Sequence, residues 1–342
     1  MRTLLFLTII PYLVIGCNPK KQNQDDQSEI QMNGFQPFIE QIDPDLNNVI
    51  DPNAKVEIIA EGFEWSEGPL WIDGLGLLFS DIPPNKIYLW TEGEDVKLYL
   101  FPSGYTGETS RAGEVGANGL LVDKNGELIL CQHGDRRLAR MISPVNDPKP
   151  EFETIVDNYK GKRFNSPNDA CFNSEGALYF TDPAYGLEKM MSDPLKELDF
   201  QGVYKFTTSG QLILLTDEMT RPNGIAFSPD EKILYVANSD PEYAVWMAFT
   251  LNDDGMIESK RVFYNATSLV EQEVGLPDGL KVDSDGNIFA TGPGGVWIFN
   301  EQGKVLGKIR TGQATSNCAF GNDGKILYIT ADNFVMRVKI KI

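Results

Sequence analysis

Histidine is almost absent from this 342-residue sequence, which contains only His133. This excludes a zinc site built from two or three imidazoles and leaves few routes to a histidine-based catalytic triad. Basic residues are also scarce, because 30 Lys and Arg stand against 49 Asp and Glu for a formal net charge of −19. Nucleic-acid backbones are bound by Lys and Arg, so we expect no nucleic-acid partner.

The apolar run near the N-terminus is too short to span a bilayer. It covers residues 4–15 (LLFLTIIPYLVI), follows Arg2 and has the length of a signal-peptide core. It ends in VIGC (14–17), which resembles a bacterial lipobox, so we expect cleavage before Cys17 and acylation of that cysteine. The alternative is an ordinary secretory signal with a coincidental cysteine.

These features predict three segments. A lipoprotein signal peptide covers residues 1–16, the acylated Cys17 and a polar, flexible tether cover residues 17–45, and the folded domain covers residues 46–342. Several acyl chains hold a protein at a membrane surface. We therefore predict an exported bacterial lipoprotein, periplasmic or anchored at the outer membrane or cell surface, that meets the membrane through its lipid alone. No feature of the sequence indicates a protein partner.

Three further cysteines, Cys131, Cys171 and Cys318, lie far apart without CxxC spacing. An odd number leaves at least one thiol unpaired in an oxidising compartment. All three fall in apolar, strand-like runs, where a buried thiol acts as a small hydrophobic group. We expect no catalytic role for them.

Six segments of the chain share one pattern: a polar residue, a small residue, an apolar stretch, a turn and a second apolar strand. The first five begin 51, 50, 55 and 55 residues apart. A period near this length, with three or four short strands per unit, is typical of propeller blades. The segments are EGPLWIDGLGLLFSD (67–81), NGLLVDKNGELILCQ (118–132), NDACFNSEGALYFTD (168–182), NGIAFSPDEKILYVA (223–237), DGLKVDSDGNIFATG (278–292) and SNCAFGNDGKILYIT (316–330).

The repeats predict an all-β fold, a six-bladed β-propeller. The 32 glycines and 20 prolines suit many short strands joined by turns. No stretch has a sustained helical period, although residues 188–200 are compatible with a short helical insert in the third blade. A strand-like segment, residues 54–63, precedes the first repeat. We expect it to complete the last blade and close the ring, which removes the exposed sheet edges.

The residues that begin the repeats are expected to form a ring around the central channel. Their carboxylate and amide oxygens are a hard ligand set that suits Ca²⁺ first, with Mg²⁺ or Mn²⁺ as alternatives. A single Asn-Gly or Asp-Gly pair is more often a turn, so the prediction depends on six aligned occurrences. The ring residues are Glu67, Asn118, Asn168, Asn223, Asp278 and either Ser316 or Asn317.

Four motifs resemble those of the SMP-30/gluconolactonase (regucalcin-like) family, and a fifth is similar to its bacterial gluconolactonase branch. The resemblance runs from about residue 55 to 340 and implies a six-bladed propeller with a central divalent metal. The four motifs are SEGPLW (66–71), KRFNSPNDA (162–170), RPNGIAFSPD (221–230) and LPDGLKVDSDGN (276–287), and the fifth is LCQHGDRRLAR (130–140).

The resemblance also implies roles for individual residues. Glu67, Asn223 and Asp278 would bind the metal, with Asn168 as a fourth ligand or a substrate contact, and Asp278 would be the catalytic base. Animal members carry an arginine-x-asparagine pair beside the metal. Here Arg163 lies five residues before Asn168, so the role of that arginine is not transferred.

Substrate contacts are predicted for Asn118, His133, Arg163 and Asn168. His133 follows the first strand of the second blade, near the expected channel mouth, and the alternative is a hydrogen-bonded loop histidine. Arg163 lies on the approach to Asn168 and either contacts sugar hydroxyls or anchors its loop. Tyr185 is a candidate wall of the pocket.

The predicted function is metal-dependent hydrolysis of sugar-derived lactones, which makes the protein a carboxylic ester hydrolase. One divalent cation, Ca²⁺ first and Mg²⁺, Mn²⁺ or Zn²⁺ as alternatives, would polarise the lactone carbonyl while Asp278 activates water. Two alternatives stay open: a broader lactone, ester or phosphotriester hydrolase with the same site, and a non-catalytic calcium-binding propeller tethered at the membrane.

Overall fold

The computed structural model describes residues 34–341, so the predicted signal peptide, Cys17 and most of the tether lie outside the described residues. Within this part, helix is limited to the 3-10 segments Pro44–Asn48, Met190–Ser192 and Thr267–Leu269, and no helix has the length and hydropathy to cross a membrane. The strands are β1 (Phe38–Gln41), β2 (Glu57–Glu61), β3 (Ser66–Ile72), β4 (Gly76–Asp81), β5 (Lys86–Trp90), β6 (Lys97–Leu100), β7 (Ala117–Val122), β8 (Leu128–Gln132), β9 (Arg137–Met141), β10 (Phe152–Val156), β11 (Asn158–Tyr159), β12 (Lys162–Arg163), β13 (Ala170–Phe172), β14 (Leu178–Asp182), β15 (Gly202–Phe206), β16 (Leu212–Thr216), β17 (Pro222–Phe227), β18 (Ile233–Asp240), β19 (Tyr243–Leu251), β20 (Ile257–Asn265), β21 (Leu280–Val282), β22 (Ile288–Gly292), β23 (Gly295–Phe299), β24 (Val305–Arg310), β25 (Thr315–Gly321), β26 (Ile326–Ala331) and β27 (Phe334–Lys339).

Six antiparallel sheets form the blades of a β-propeller, which confirms the predicted fold. Blades one to four use consecutive strands: β3–β6, β7–β10, β13–β16 and β17–β20. Blade five is β21–β24 with β1 added at its outer edge, and blade six is β25–β27 with β2 at its outer edge. A small hairpin, β11–β12, lies between blades two and three. The helical insert predicted in blade three is one 3-10 turn, Met190–Ser192.

The ring closes through β2, as the sequence predicts. This strand pairs antiparallel with β27, so that Glu57 lies opposite Arg337 and Glu61 lies opposite Phe334. Arg337 Nε also donates a hydrogen bond to Glu57 Oε2 at 2.7 Å. The last blade is thereby completed by the beginning of the folded chain.

Strand β1 is not predicted by the sequence. Phe38 pairs with Arg310 and Gln41 with Gly307, and Arg310 Nε donates to Glu40 at 2.6 Å. The tether predicted to run to residue 45 is therefore too long at its C-terminal end. The strand is hard to detect because it has four residues, of which only Ile39 is buried.

The hydrophobic core lies between neighbouring blades. Between blades four and five, Trp246 and Trp297 are 1% and 2% exposed, and the Trp297 ring stacks on Phe299 with centroids 5.7 Å apart. Between blades six and one, Trp90 packs against Tyr328. Trp90, Trp246 and Trp297 are therefore core residues.

The three cysteines within the described residues are free thiols. Cys131 and Cys318 are fully buried, and burial raises the pKa of the Cys318 thiol to about 12. A thiol that stays protonated at neutral pH is a poor nucleophile. The thiols therefore act as core groups, as predicted.

The inner strands approach one another closely around the axis. A Cβ atom on Gly68 would lie 2.1 Å from the Asn118 carbonyl oxygen, and one on Gly224 would lie 2.3 Å from the Asp278 carbonyl oxygen. Glycine therefore follows the polar ring residue because no side chain fits at these contacts, and Gly68 also has a φ of +50°, in the left-handed region that favours glycine. The pairing of the first and second strands is interrupted by register shifts between Glu67 and Leu70 and between Pro222 and Ile225, next to ring residues Glu67 and Asn223.

Candidate metal centre and substrate cavity

A cavity of about 540 Å³ lies over the beginnings of the inner strands. Its size falls within the roughly 300–1,000 Å³ that is usual for small-molecule sites. The sixth blade contributes Thr315, next to the predicted Ser316. The other five blades each contribute their ring residue: Glu67, Asn118, Asn168, Asn223 and Asp278.

Four oxygen atoms of the ring are buried and have no hydrogen-bond donor in the described part of the chain. They are Asn118 Oδ1, Asn168 Oδ1, Asn223 Oδ1 and Asp278 Oδ1. A single unsatisfied buried acceptor costs about 1–3 kcal/mol, so four of them lining one cavity require a common explanation. Carboxylate and amide oxygens without a proton donor are the ligands of a hard divalent cation, and these residues fit one.

Hydrogen bonds fix the direction in which ring side chains point. Asn223 Nδ2 donates to Ser239 Oγ at 3.0 Å, so its Oδ1 atom is the free end of the amide. Glu67 Oε2 accepts from the Gly68 backbone N–H at 2.5 Å and from Asn317 Nδ2 at 3.1 Å. The side chains of Glu67 and Asn223 are therefore held in place before any ligand binds.

The two candidates for the sixth ring position have different roles. Asn317 supports the carboxylate of Glu67, whereas Ser316 Oγ donates to the Ser66 carbonyl oxygen at 2.7 Å and joins blade six to blade one. Neither residue lines the cavity. The ring that reaches the cavity thus has five polar members.

The carboxyl groups of the site repel one another. Burial raises the pKa of Glu67 to about 7. Burial first, and then the negative charges of Glu67, Glu114 and Asp169, raise the pKa of Asp278 well above its usual range. A divalent cation held between Glu67 and Asp278 would offset this cost. Within residues 34–341, no cluster of three or more His, Cys, Asp or Glu side chains could hold a metal, so the centre depends on the amide oxygens.

Hydroxyl groups join the ring residues of one blade to the next. Thr181 Oγ1 donates to the Asn223 carbonyl oxygen at 2.7 Å, and Ser80 Oγ donates to the Asn118 carbonyl oxygen at 2.9 Å. Both hydroxyls lie one residue before the end of the second strand of their blade. These bonds, which we call latches, set the spacing of the ring residues around the axis.

Two of the predicted substrate contacts do not line the cavity. His133 is fully buried, and its Nδ1 atom lies 3.5 Å from Glu114 Oε2. The exposed Arg163 donates through Nη2 to the Asp135 carbonyl oxygen at 2.7 Å, which is the loop-anchoring alternative. The other two predicted contacts, Asn118 and Asn168, do line it.

The structure adds residues that the sequence does not indicate. Glu114 lines the cavity with a one-third exposed carboxylate, and residues 270–276 form another part of its wall. Neither belongs to the repeat pattern, so alignment of the chain to itself cannot find them. Tyr185, suggested from the sequence as a wall residue, lines the cavity, and its Oη donates to the Ser239 carbonyl oxygen at 3.1 Å.

Known proteins share both the sequence pattern and the fold. Residues 65–333 match the family description SMP-30/Gluconolactonase/LRE-like region. The gluconolactonase of Zymomonas mobilis is 40% identical over 311 residues, covering 89% of this chain and 86% of that protein. A gluconolactonase structure from Xanthomonas campestris superposes with a TM-score of 0.75 at 29% identity, covering 89% of this chain and 97% of that one. Regucalcin from Agrobacterium tumefaciens, described as calcium-binding, shares the fold with a TM-score of 0.64 at 16% identity, covering 83% of this chain and 94% of that one.

Proposed function

The chain belongs to the SMP-30/gluconolactonase family and is a lactone hydrolase, a type of carboxylic ester hydrolase, and from this premise we propose that it opens sugar-derived lactones with a divalent cation at its axis. The observation that supports the proposal is the set of four buried, donor-free oxygens that line one cavity. A purely structural role would not require these oxygens to line a cavity of substrate size.

The residues that would hold the cation are Glu67, Asn168, Asn223 and Asp278, which come from four different blades. Their all-oxygen chemistry favours Ca²⁺, with Mg²⁺, Mn²⁺ or Zn²⁺ as the competing ions. When bound, such a cation supplies Lewis-acid polarisation of a carbonyl group and lowers the pKa of water.

The protein's own groups then act on the lactone. The Asp278 carboxylate accepts a proton from the attacking water, whose oxygen forms the new bond to the carbonyl carbon. The bond from that carbon to the ring oxygen breaks, and the proton returns to that oxygen, which leaves a hydroxy acid. Asn118 and Asn168 present amide groups to the substrate, while Trp65 and Tyr185 limit water access as walls of the cavity. No covalent intermediate with the protein is needed.

The experiment is proton release at constant pH from D-glucono-1,5-lactone, with each cation added after chelation, using protein that begins at residue 34. We expect metal-dependent hydrolysis in the native protein and a loss of about 10²–10⁴-fold in Asp278→Asn, the range typical of a lost general base. Asp285→Asn is the matched control, because Asp285 is exposed in a turn of the same blade. Calorimetry measures cation binding in the same variants. Cation binding without turnover of any lactone, ester or phosphotriester would instead indicate a non-catalytic binding propeller.

We also propose that Cys17 is acylated after cleavage of residues 1–16 and holds the exported protein at a membrane. The support is the lipobox-like VIGC at residues 14–17. Incorporation of labelled palmitate into the full chain, with Cys17→Ser as control, tests this. Equal labelling of the two proteins would contradict it.

A further inference from the structure

A second cavity, of about 240 Å³, adjoins the substrate cavity. Tyr185 lines both and is the wall they share. The bond from Tyr185 Oη to the Ser239 carbonyl oxygen fixes the orientation of the ring. A ligand extending past Tyr185 would therefore meet the second cavity.

The second cavity is lined by two cations and by no carboxylate. Lys189 and Arg221 both line it, and none of the other lining residues is Asp or Glu. Within residues 34–341, neither side chain has an ion pair within 4 Å. Asp240 is near enough to Arg221 to interact electrostatically, but it does not line the cavity.

The charges of these two side chains are therefore available to a ligand, unlike that of Arg310, which pairs with Glu40 and Glu273. The cavity on the other side of Tyr185 is acidic by contrast, since Glu67, Glu114 and Asp278 line it. A divalent cation would offset the charge of that cavity, whereas the second cavity keeps its two positive charges.

A hydrogen bond fixes the backbone of Arg221 close to the ring residues. Its backbone N–H donates to Asn238 Oδ1 at 2.8 Å, and it precedes the ring residue Asn223 by two positions. Gln201, a neutral lining residue, already has hydrogen-bond partners at both ends of its amide. Its Oε1 accepts from the Ala184 N–H at 2.8 Å, and its Nε2 donates to the Thr220 carbonyl oxygen. Recognition of a ligand in this cavity is thus left to Lys189 and Arg221.

We propose that the second cavity binds an anionic group, a phosphate or a carboxylate, carried by the substrate at the end remote from its lactone bond. A guanidinium offers a planar pair of donors to such a group, and an ammonium adds a point charge. The inference depends on the proposed function and narrows it, because the substrates become acidic lactones rather than neutral ones.

The test compares kcat/KM for three lactones under one metal condition: D-glucono-1,5-lactone, its 6-phosphate and D-glucaro-1,4-lactone. We expect at least one acidic lactone to be favoured over the neutral one by about tenfold, equivalent to one charge-assisted hydrogen bond. Preference for the 6-phosphate identifies a phosphate site, and preference for the glucaro-lactone identifies a carboxylate site. Equal values for all three lactones overturn the proposal.

Variants assign the preference to the cavity. In Lys189→Gln the ratio of acidic to neutral kcat/KM should fall about tenfold, while Lys189→Arg should retain most of it. Lys232→Gln, an exposed change in blade four, is the charge-matched control and should leave the ratio unchanged. A preference that persists in Lys189→Gln and in Arg221→Gln would place the anion elsewhere and overturn the proposal.

A binding measurement separates this inference from the proposed function. Calorimetry compares 6-phospho-D-gluconate with D-gluconate, without turnover, in the native protein and in Lys189→Gln. Tighter binding of the phosphate that depends on Lys189 and weakens with salt supports the anion site even if no lactone is hydrolysed. Equal binding of both compounds overturns the site, even where gluconolactone is hydrolysed.

Discussion

Asparagines are three of the five ring residues that line the cavity of the candidate metal centre. Asn118, Asn168 and Asn223 each have one end of the amide without a partner, and only Asp278 and Glu67 bring charge. Every additional carboxylate in a closed cavity raises the proton affinity of the others, whereas an amide adds a ligand without that cost. A ring rich in asparagine can therefore hold a divalent cation and still keep Asp278 available as a base.

The acidity of Asp278 depends in part on Glu114. Burial, Glu67 and then Glu114 raise the pKa of Asp278, so replacing Glu114 by Gln removes one like charge and lowers that pKa. Asp278 then stays ionised to a lower pH, and we expect the acidic limb of the kcat/KM profile to move to lower pH. Glu108→Gln, exposed on the same loop, is the control. An acidic limb that stays in place would show that Asp278 does not govern it.

Variants of the Thr181 latch test how strongly the spacing of the ring residues affects stability and cation binding. Thr181→Val leaves the Asn223 carbonyl oxygen without its donor, which should cost about 1–3 kcal/mol of stability. Because Asn223 is also a candidate ligand, we expect weaker cation binding by calorimetry as well. Thr181→Ser keeps a hydroxyl and should restore both quantities, and Thr208→Val, exposed on the same blade, should change neither. Unaltered cation affinity in Thr181→Val would separate the latch from the metal centre.

Most of the site could be predicted from the sequence because it repeats. Each ring residue stands at the same place in its blade, so aligning the chain to itself brings together Glu67, Asn118, Asn168, Asn223 and Asp278. Glu114 could not be found in this way, because it lies on the loop between blades one and two, outside the aligned repeat segments. The locations of His133 and Arg163 depend on side-chain direction, which spacing along the chain does not determine.

At the scale of strands and blades, the aromatic layers between neighbouring sheets carry the stability. Trp246 contacts Trp297 and Phe299 across the boundary between blades four and five, and all three side chains are buried. Packing of this kind is local to one pair of blades, but each blade takes part in two such layers. A cavity at one boundary therefore weakens the whole ring.

Trp246→Ala should lower the free energy of unfolding by about 3–5 kcal/mol, the range for truncating a buried aromatic side chain. The denaturant midpoint should fall while the cation affinity of any remaining folded protein is unchanged, since Trp246 is not a ligand. Leu98→Ala, 55% exposed on the outer strand of blade one, should have little effect. A midpoint equal to that of the native protein would contradict this role of the aromatic layer, whereas two separated transitions would mean that the blades unfold independently.

Strands with regular patterns were predictable, and irregular ones were not. The inner and second strands of every blade follow the repeat, and the closing strand β2 follows from the incomplete last blade. Strand β1 escaped detection because it has four residues, a single buried side chain and no counterpart in the other blades. Its place is set by pairing with β24, a contact between residues far apart in sequence.

For the whole molecule, a bound cation would connect four blades through Glu67, Asn168, Asn223 and Asp278. A ligand that binds only the folded state stabilises it by about 2.7 kcal/mol at a concentration of 100 times its Kd. We expect Ca²⁺ to raise the unfolding temperature in scanning calorimetry and a chelator to reverse the change. Asp278→Asn should abolish the dependence on Ca²⁺, whereas Asp285→Asn should keep it. The same increase in both variants would place the stabilising ion outside the ring.

The pairing of β2 with β27 also constrains how the protein is made. Glu61 and Phe334 lie opposite each other, about 270 residues apart along the chain. At a synthesis rate of roughly 5–20 residues per second, the N-terminal partner leaves the ribosome roughly 15–55 s before its complement exists. During that interval the half-finished toroid has an open seam with unpaired backbone groups on β2. A chaperone that shields this seam would be of most use to the cell until the final strand has emerged where the protein folds.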